Sequence, residues 1–371
     1  MFKKAFALAS LCAAILSPPL ALAVTGGGAE IPARLYKGAP ESILPQSFTY
    51  AVTGSGVGKQ AFLNNDSAPF GTSGTVHYAG SDSVLTASEL SNYNSYFRGS
   101  YGPLIQIPMA HIPIAIPYRR SGIASLNLTS WQLCSVFSGE AKTWGQLLST
   151  TDAQPIKVVY RYTRSGATEI LTRHLNSVCP HRISVNSDFI SARLSPGGLP
   201  ANWVGVATDQ EVFDVLKSYD GSIGYVGPDL LGGAGLGDNS KVARVNATLP
   251  TFNNVNLAIS GAFYLPSTAT DRADPKKWVS VIANPQSGYS IVGSTNMIVG
   301  QCYKDSSVAK ELLEFLARQY GGVANNAAMI SHGFLPLTIT WKTAVMNSFV
   351  TGNSENLNIN NPNVCNGKGR P

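Results

Sequence analysis

Between Lys157 and Cys179 the chain reads KVVYRYTRSGATEILTRHLNSVC. KVVY, residues 157 to 160, has the β-branched and aromatic character of a buried strand. A short turn follows Arg161, and from Ser165-Gly166 onward Ile170, Leu171, His174 and Leu175 return near one face at helical spacing. Strand, tight turn and helix in that order make an α/β unit, which directs the chain toward a layered α/β architecture.

The rest of the chain agrees with that class. LIQIPMAHIPIAIP, residues 104 to 117, is extended by pattern, because its prolines exclude a helix. Residues 126 to 139 carry Leu128, Trp131, Leu133, Cys134 and Phe137 at helical spacing, with Thr129 or Ser130 as the cap. A helix is expected at 211–218, strands at 222–226 and 294–299, and an amphipathic helix at 306–320 with Val308, Leu312, Phe315 and Leu316 inward. No internal repeat is visible. Near the start, MFKKAFALASLCAAILSPPLALA has two lysines, an apolar run broken by Pro18 and Pro19, and Ala21-Leu22-Ala23, the pattern of a secretory signal peptide over 1–23. Cys12 follows Leu11, where a lipoprotein signal would want a small residue. The roughly 350 residues beyond it exceed what one core usually serves, so two domains are expected.

Charged residues are only 13% of the chain, and removing Lys3 and Lys4 lowers the formal charge from +6 to +4. Without a dense Lys/Arg run, nucleic acid is not an expected partner. Four cysteines remain beyond Cys12: Cys134, Cys179, Cys302 and Cys365. An even number in an oxidising compartment favours two disulfides. Spacing allows three pairings, of which the nearest-neighbour one staples each local region to itself. No CxxC occurs, and His77, His111, His174, His181 and His332 are isolated, so neither a zinc site nor a two-metal site is expected. Only His77, shortly before Asp82, lies near a candidate site; His174 reads as a packed or exposed helix residue.

Three segments could carry chemistry. TGSGVGKQ, residues 53–60, suggests a phosphate loop, but Thr53 stands where the first glycine belongs and Gln60 where the Mg²⁺-binding hydroxyl belongs. On this fragment alone a turn between strands is the expectation. In VVYRYTRSGATEIL, free N–H groups at the start of a helix and the bidentate fork of Arg161 form an anion site by construction, although a Ser N-cap and a surface ion pair would read the same. In HYAGSDSVLTASEL, Asp82 is either a helix cap or a carboxylate that accepts a hydrogen bond from a protonated oxyanion, admitting HPO₄²⁻ and repelling sulfate. GGGAEIP, residues 26–32, could add backbone amides. No Gly-x-Ser-x-Gly elbow surrounds Ser55.

Taken together, GGGAEIPARLY, YAVTGSGVGKQAFL, HYAGSDSVLTASEL, WQLCSVFSGEAKTW, VVYRYTRSGATEILTRHLN and the closing NPNVCNGKGRP resemble the DING subfamily of phosphate-binding proteins, which are similar to the soluble receptors of bacterial phosphate ABC transporters. The resemblance covers essentially the whole chain beyond residue 23. It implies a type II periplasmic-binding-protein fold: two α/β lobes, a ligand cleft and two hinge crossings, near 104–117 and 290–300. Lobe I would comprise 24–106 and 292–371, and lobe II 107–291. It implies the local disulfides Cys134–Cys179 and Cys302–Cys365, and a phosphate site of Glu30, Ile31, Ser55, Asp82, Arg161, Ser165, Gly166 and Ala167, with Lys59 uninvolved. The chain would be exported, to the periplasm or beyond, as a monomer without cofactor, with inorganic phosphate or phosphate esters as ligand and an ABC-transporter permease as possible partner.

Against the family pattern, Val24-Thr25-Gly26-Gly27 replaces the tetrad that names the group, Glu30 replaces a threonine, and Ser165-Gly166-Ala167, preceded by Arg164, replaces Ser-Gly-Thr. Glu30 would face both the anion and Asp82, so it either turns outward or pairs with Arg164, or it orients a water for hydrolysis. Relatives described as low-molecular-weight alkaline phosphatases make an exported phosphomonoesterase the alternative to a receptor; an adhesion role is the third reading.

Overall fold

The computed structural model describes residues 23–39, 41–195, 197–261, 264–279 and 281–371; apart from Ala23, the expected signal segment lies outside these. Two sheets organise the chain. The first runs β12-β4-β11-β3-β1-β2, from β1 (Gly26–Gly28), β2 (Ala51–Val52), β3 (Tyr78–Ser81), β4 (Leu104–Pro113), β11 (Val292–Gly300) and β12 (Leu335–Pro336). The second runs β5-β9-β7-β8, from β5 (Tyr118–Arg119), β7 (Lys157–Arg161), β8 (Val204–Val206) and β9 (Ser222–Ile223). A small pair joins β6 (Asn127–Leu128) to β10 (Arg244–Val245). β1 is parallel to β2 and β3, and β7 is parallel to β8 and β9, each pair requiring the crossovers that the helices supply.

Strand β4 is buried along its whole length between β11 and β12. A proline in such a strand needs a break in the ladder, and β4 has one: Thr295 pairs with Ala110 and Asn296 with Pro108, leaving Met109 as the extra residue. The freed Pro108 carbonyl accepts the Tyr320 hydroxyl at 2.7 Å. From β4 the chain passes directly to β5 through bridges at Ala115 and Pro117, and Ile114 N–H reaches back to the Ile291 carbonyl at 2.9 Å.

The segment read as a turn at 53–60 is largely a helix, Ser55–Asn64. Gly58 serves packing: a Cβ there would stand 2.4 Å from the Gly28 Cα, so only glycine lets this helix lie on β1. Lys59 turns away into an ion pair with Glu89 at 3.1 Å. Asp82 follows β3 and caps no helix; the helix Ala87–Tyr96 is capped by Thr86 in a capping box with Glu89. The expected helices near 126–139, 165, 211–218 and 306–320 appear as Ser130–Ser138, Gly166–Val178, Asp209–Ser218 and Ser306–Tyr320. The strand expected at 222–226 spans only Ser222–Ile223, with an isolated bridge from Val226 to Ala115.

Both disulfides are the local pairings, Cys134–Cys179 and Cys302–Cys365. Two of the histidines are structural: His77 Nδ1 accepts from Thr25 N–H at 2.8 Å, and His174 lies between the Ser130 hydroxyl and the Ala283 carbonyl. Burial pushes both imidazoles down to about 4, so they stay neutral at physiological pH. Among the described residues no helix is long and apolar enough to cross a membrane.

Candidate anion site

The polar groups of interest sit where parallel strands end. Glu30 follows β1, Ser55 follows β2, Asp82 follows β3, Arg161 closes β7 and Asp209 follows β8. In open α/β sheets the crevice beyond the carboxyl ends of the strands is where ligands bind, because helix N-termini and free loops gather there. Here the two sheets bring such ends face to face.

Two helix starts meet at Asp82. The helices Ala87–Tyr96, Ser130–Ser138 and Asp209–Ser218 are closed by the side chains of Thr86, Thr129 and Thr208. Ser55–Asn64 and Gly166–Val178 have no side-chain cap, so their first N–H groups and the positive ends of their dipoles are left to other partners. The approach is close: a Cβ on Gly166 would stand 2.3 Å from the Asp82 Cβ and 3.0 Å from the Ser55 Oγ. The Asp82 N–H donates to Ser55 Oγ at 3.0 Å, which leaves the Ser55 hydroxyl hydrogen free to point elsewhere. Ala167 is fully buried beside Gly166, and Ser165 donates its N–H to the Ser187 carbonyl.

Asp82 is 3% exposed, and neither carboxylate oxygen has a hydrogen bond of proper geometry. Burial pushes its pKa up to about 8, with Asp209 and Glu30 adding repulsion; the nearby Thr295 hydroxyl and Ile31 N–H favour the ionised form, but not enough to offset burial. A buried carboxyl without a partner is costly unless a ligand supplies one.

Arg161 presents the opposite case. Its guanidinium is ion-paired with Asp209 and, at 2.8 Å, with Glu30, and it also donates to Thr163 Oγ1 at 2.9 Å. Glu30 therefore neither turns outward nor pairs with Arg164. One of its oxygens meets Arg161, and the other accepts the Asp209 N–H at 2.7 Å. Burial and the Asp209 charge push the Glu30 carboxyl up to about 6 against the pull of Arg161. Asp209 begins a helix whose Thr208/Glu211 capping box made it look like an ordinary first-turn acid; nothing in its local sequence announced the pairing with Arg161. Tyr225, which accepts the Arg161 N–H at 3.1 Å and meets the Thr168 hydroxyl at 2.7 Å, was equally silent.

The structure thus brings Ser55, Asp82 and Gly166 together, with the Ile31 N–H near Asp82, and joins Glu30 to Arg161 and Asp209; Ser165 and Ala167 flank Gly166 in the chain. Among the described residues no group of three or more His, Cys, Asp or Glu side chains is arranged to hold a metal ion.

Residues 33–319 match the model of a PBP superfamily domain. The chain is 57% identical, over the full length of both sequences, to a Pseudomonas aeruginosa protein named alkaline phosphatase L. It superposes with a TM-score of 0.86 at 40% identity on the phosphate-binding protein of Stenotrophomonas maltophilia, covering 94% of this chain and 99% of that one. The same scores and coverage relate it to a high-affinity periplasmic phosphate-binding protein, PfluDING, solved with phosphate bound at pH 8.5. With the two facing sheets and the site at their strand ends, these matches show that the chain belongs to the PBP superfamily and, within it, to the DING-type phosphate-binding proteins.

Proposed function

We propose that the protein binds inorganic phosphate, as HPO₄²⁻, in the cleft between two lobes divided near residues 106 and 292, and serves as an exported phosphate receptor. The observation that carries this reading is the buried Asp82 carboxyl, with no hydrogen bond of proper geometry on either oxygen, at the meeting point of two helix starts that lack side-chain caps. A phosphate oxygen that bears a proton satisfies Asp82, while its bare oxygens take the amides at Ser55 and Gly166–Ala167, the Ser55 and Ser165 hydroxyls, the Ile31 amide and Arg161. Lobe closure around the anion fits the two strand crossings, and delivery to an ABC-transporter permease from the periplasm fits the resemblance.

A second reading, a phosphomonoesterase on the same scaffold, is favoured by the name of the 57%-identical relative and by the position of Glu30 beside Arg161. Both Glu30 oxygens are engaged, however, so Glu30 would have to leave Arg161 or the Asp209 amide before it could orient a water. Calorimetric titration with phosphate and a p-nitrophenyl phosphate assay on one purified sample separate the two. Saturable binding without turnover is expected; turnover abolished by Arg161→Ala would establish the esterase instead, and absence of binding would refute the receptor.

A further inference from the structure

Glu30 stands in the site as an acid between two acids. It leaves β1 on the first sheet, crosses the cleft and places its carboxylate on a guanidinium nitrogen of Arg161 and on the amide of Asp209, both on the second sheet. A carboxylate held by an arginine fork and a helix-start N–H occupies donors of the kind a phosphate oxygen requires. On the reading of this cleft as a phosphate site, we infer that Glu30 is an affinity-setting residue: a resident competitor that an incoming anion must displace from Arg161 and the Asp209 amide.

Three features support displacement over permanent pairing. Arg161 keeps Asp209 and Thr163 as partners when Glu30 leaves, so its charge is not stranded. Glu30 also lines a cavity of about 210 Å³ with Ile31, Arg34, Gln210 and Leu230, which gives the released side chain room and, at Arg34, a cation to meet. Finally, the groups facing Glu30 are Arg161 and Asp209, with Asp82 deeper in the cleft and Arg34 and Asp229, itself paired with His332, around the cavity. A dianion entering beside Arg161 repels the Glu30 carboxylate and favours its protonated form.

The consequence is a proton taken up on binding. The free-site Glu30 titrates near 6, and a bound anion raises that value further. Affinity should therefore fall as pH rises above about 6, by up to about tenfold per pH unit, until the bound-state value is passed. Phosphate's own titration acts on wild type and variants alike and cancels in the ratio of wild-type to Glu30→Gln dissociation constants; because the Glu30 charge also raises Asp82, the same ratio taken on an Asp82→Asn background isolates Glu30.

The test is calorimetric titration with inorganic phosphate from pH 5.5 to 8.5 on wild type, Glu30→Gln and Glu30→Thr. The ratio is expected near unity at pH 5.5 and about tenfold in favour of each variant by pH 8. A ratio constant across the range, or variants that bind more weakly at pH 8, would overturn the inference while leaving the phosphate site in place. Because the trend is read within each variant, a constant loss from imperfect folding cannot imitate it. If none of the three proteins binds phosphate, the phosphate reading falls and the competitor with it.

Discussion

The two sides of the cleft are built on opposite electrostatic plans. The first sheet contributes Ser55 and Asp82, a hydroxyl with a free hydrogen and a buried carboxyl with no hydrogen bond of proper geometry. The second sheet contributes Arg161, whose charge is already met by two carboxylates. An anion therefore gains new bonds on the Asp82 side and exchanges existing ones on the Arg161 side. The obvious cation is therefore not where affinity is easiest to gain: Arg161 sets charge and position, while the unsatisfied acid and the bare helix starts set recognition.

The largest effect should follow from removing the saturated side. Arg161→Ala leaves Glu30 and Asp209 without their cation, and an uncompensated buried charge costs about 3–5 kcal/mol. Urea denaturation should show that loss at neutral pH, together with complete loss of phosphate binding. A smaller change closes the gap between the sides. Gly166→Ala would place its Cβ 2.3 Å from the Asp82 Cβ; forced overpacking of this kind costs roughly 1–3 kcal/mol, and phosphate affinity should drop more than about tenfold, which corresponds to about 1.4 kcal/mol.

Asp82→Asn separates the two sides through pH. With a folded pKa near 8, the native protein holds a proton that the unfolded chain releases above about pH 4. More protons bound in the native state means that stability falls as pH rises between those values, by on the order of a few kcal/mol. Thermal melts of Asp82→Asn should lose that slope and exceed wild type at pH 9. The amide can also donate to a fully deprotonated anion, so this variant should acquire sulfate binding. Ser55→Ala is the mildest of the set: one hydrogen bond, worth about 1 kcal/mol, or roughly a fivefold loss in phosphate affinity by calorimetry, with Asp82 N–H left without its acceptor.

Much of this was legible in the sequence, for identifiable reasons. Arg161 and Ser165-Gly166 could be read because strand, turn and helix follow one another within ten residues, and local order carries local chemistry. The helix Ser306–Tyr320 was read to the residue because its apolar face repeats through four turns. The segment at Ser55 was misread as a turn because glycine propensity argues against helix, whereas the close seat of Gly58 on Gly28 overrides it. Asp82 read either as a cap or as an acceptor for a protonated oxyanion, because an acid before a helical stretch fits both; Thr86, four residues on, takes the cap. The partner of Glu30 could not be read at all, since Glu30 and Arg161 meet only when the two sheets do.

The most direct measurement is a paired calorimetric titration of the wild-type protein with phosphate and with sulfate at pH 9. There Asp82 is ionised, phosphate still carries a proton and sulfate carries none. Saturable one-to-one binding of phosphate with no detectable binding of sulfate is the predicted result. Comparable affinity for the two anions would contradict an anion seated against Asp82.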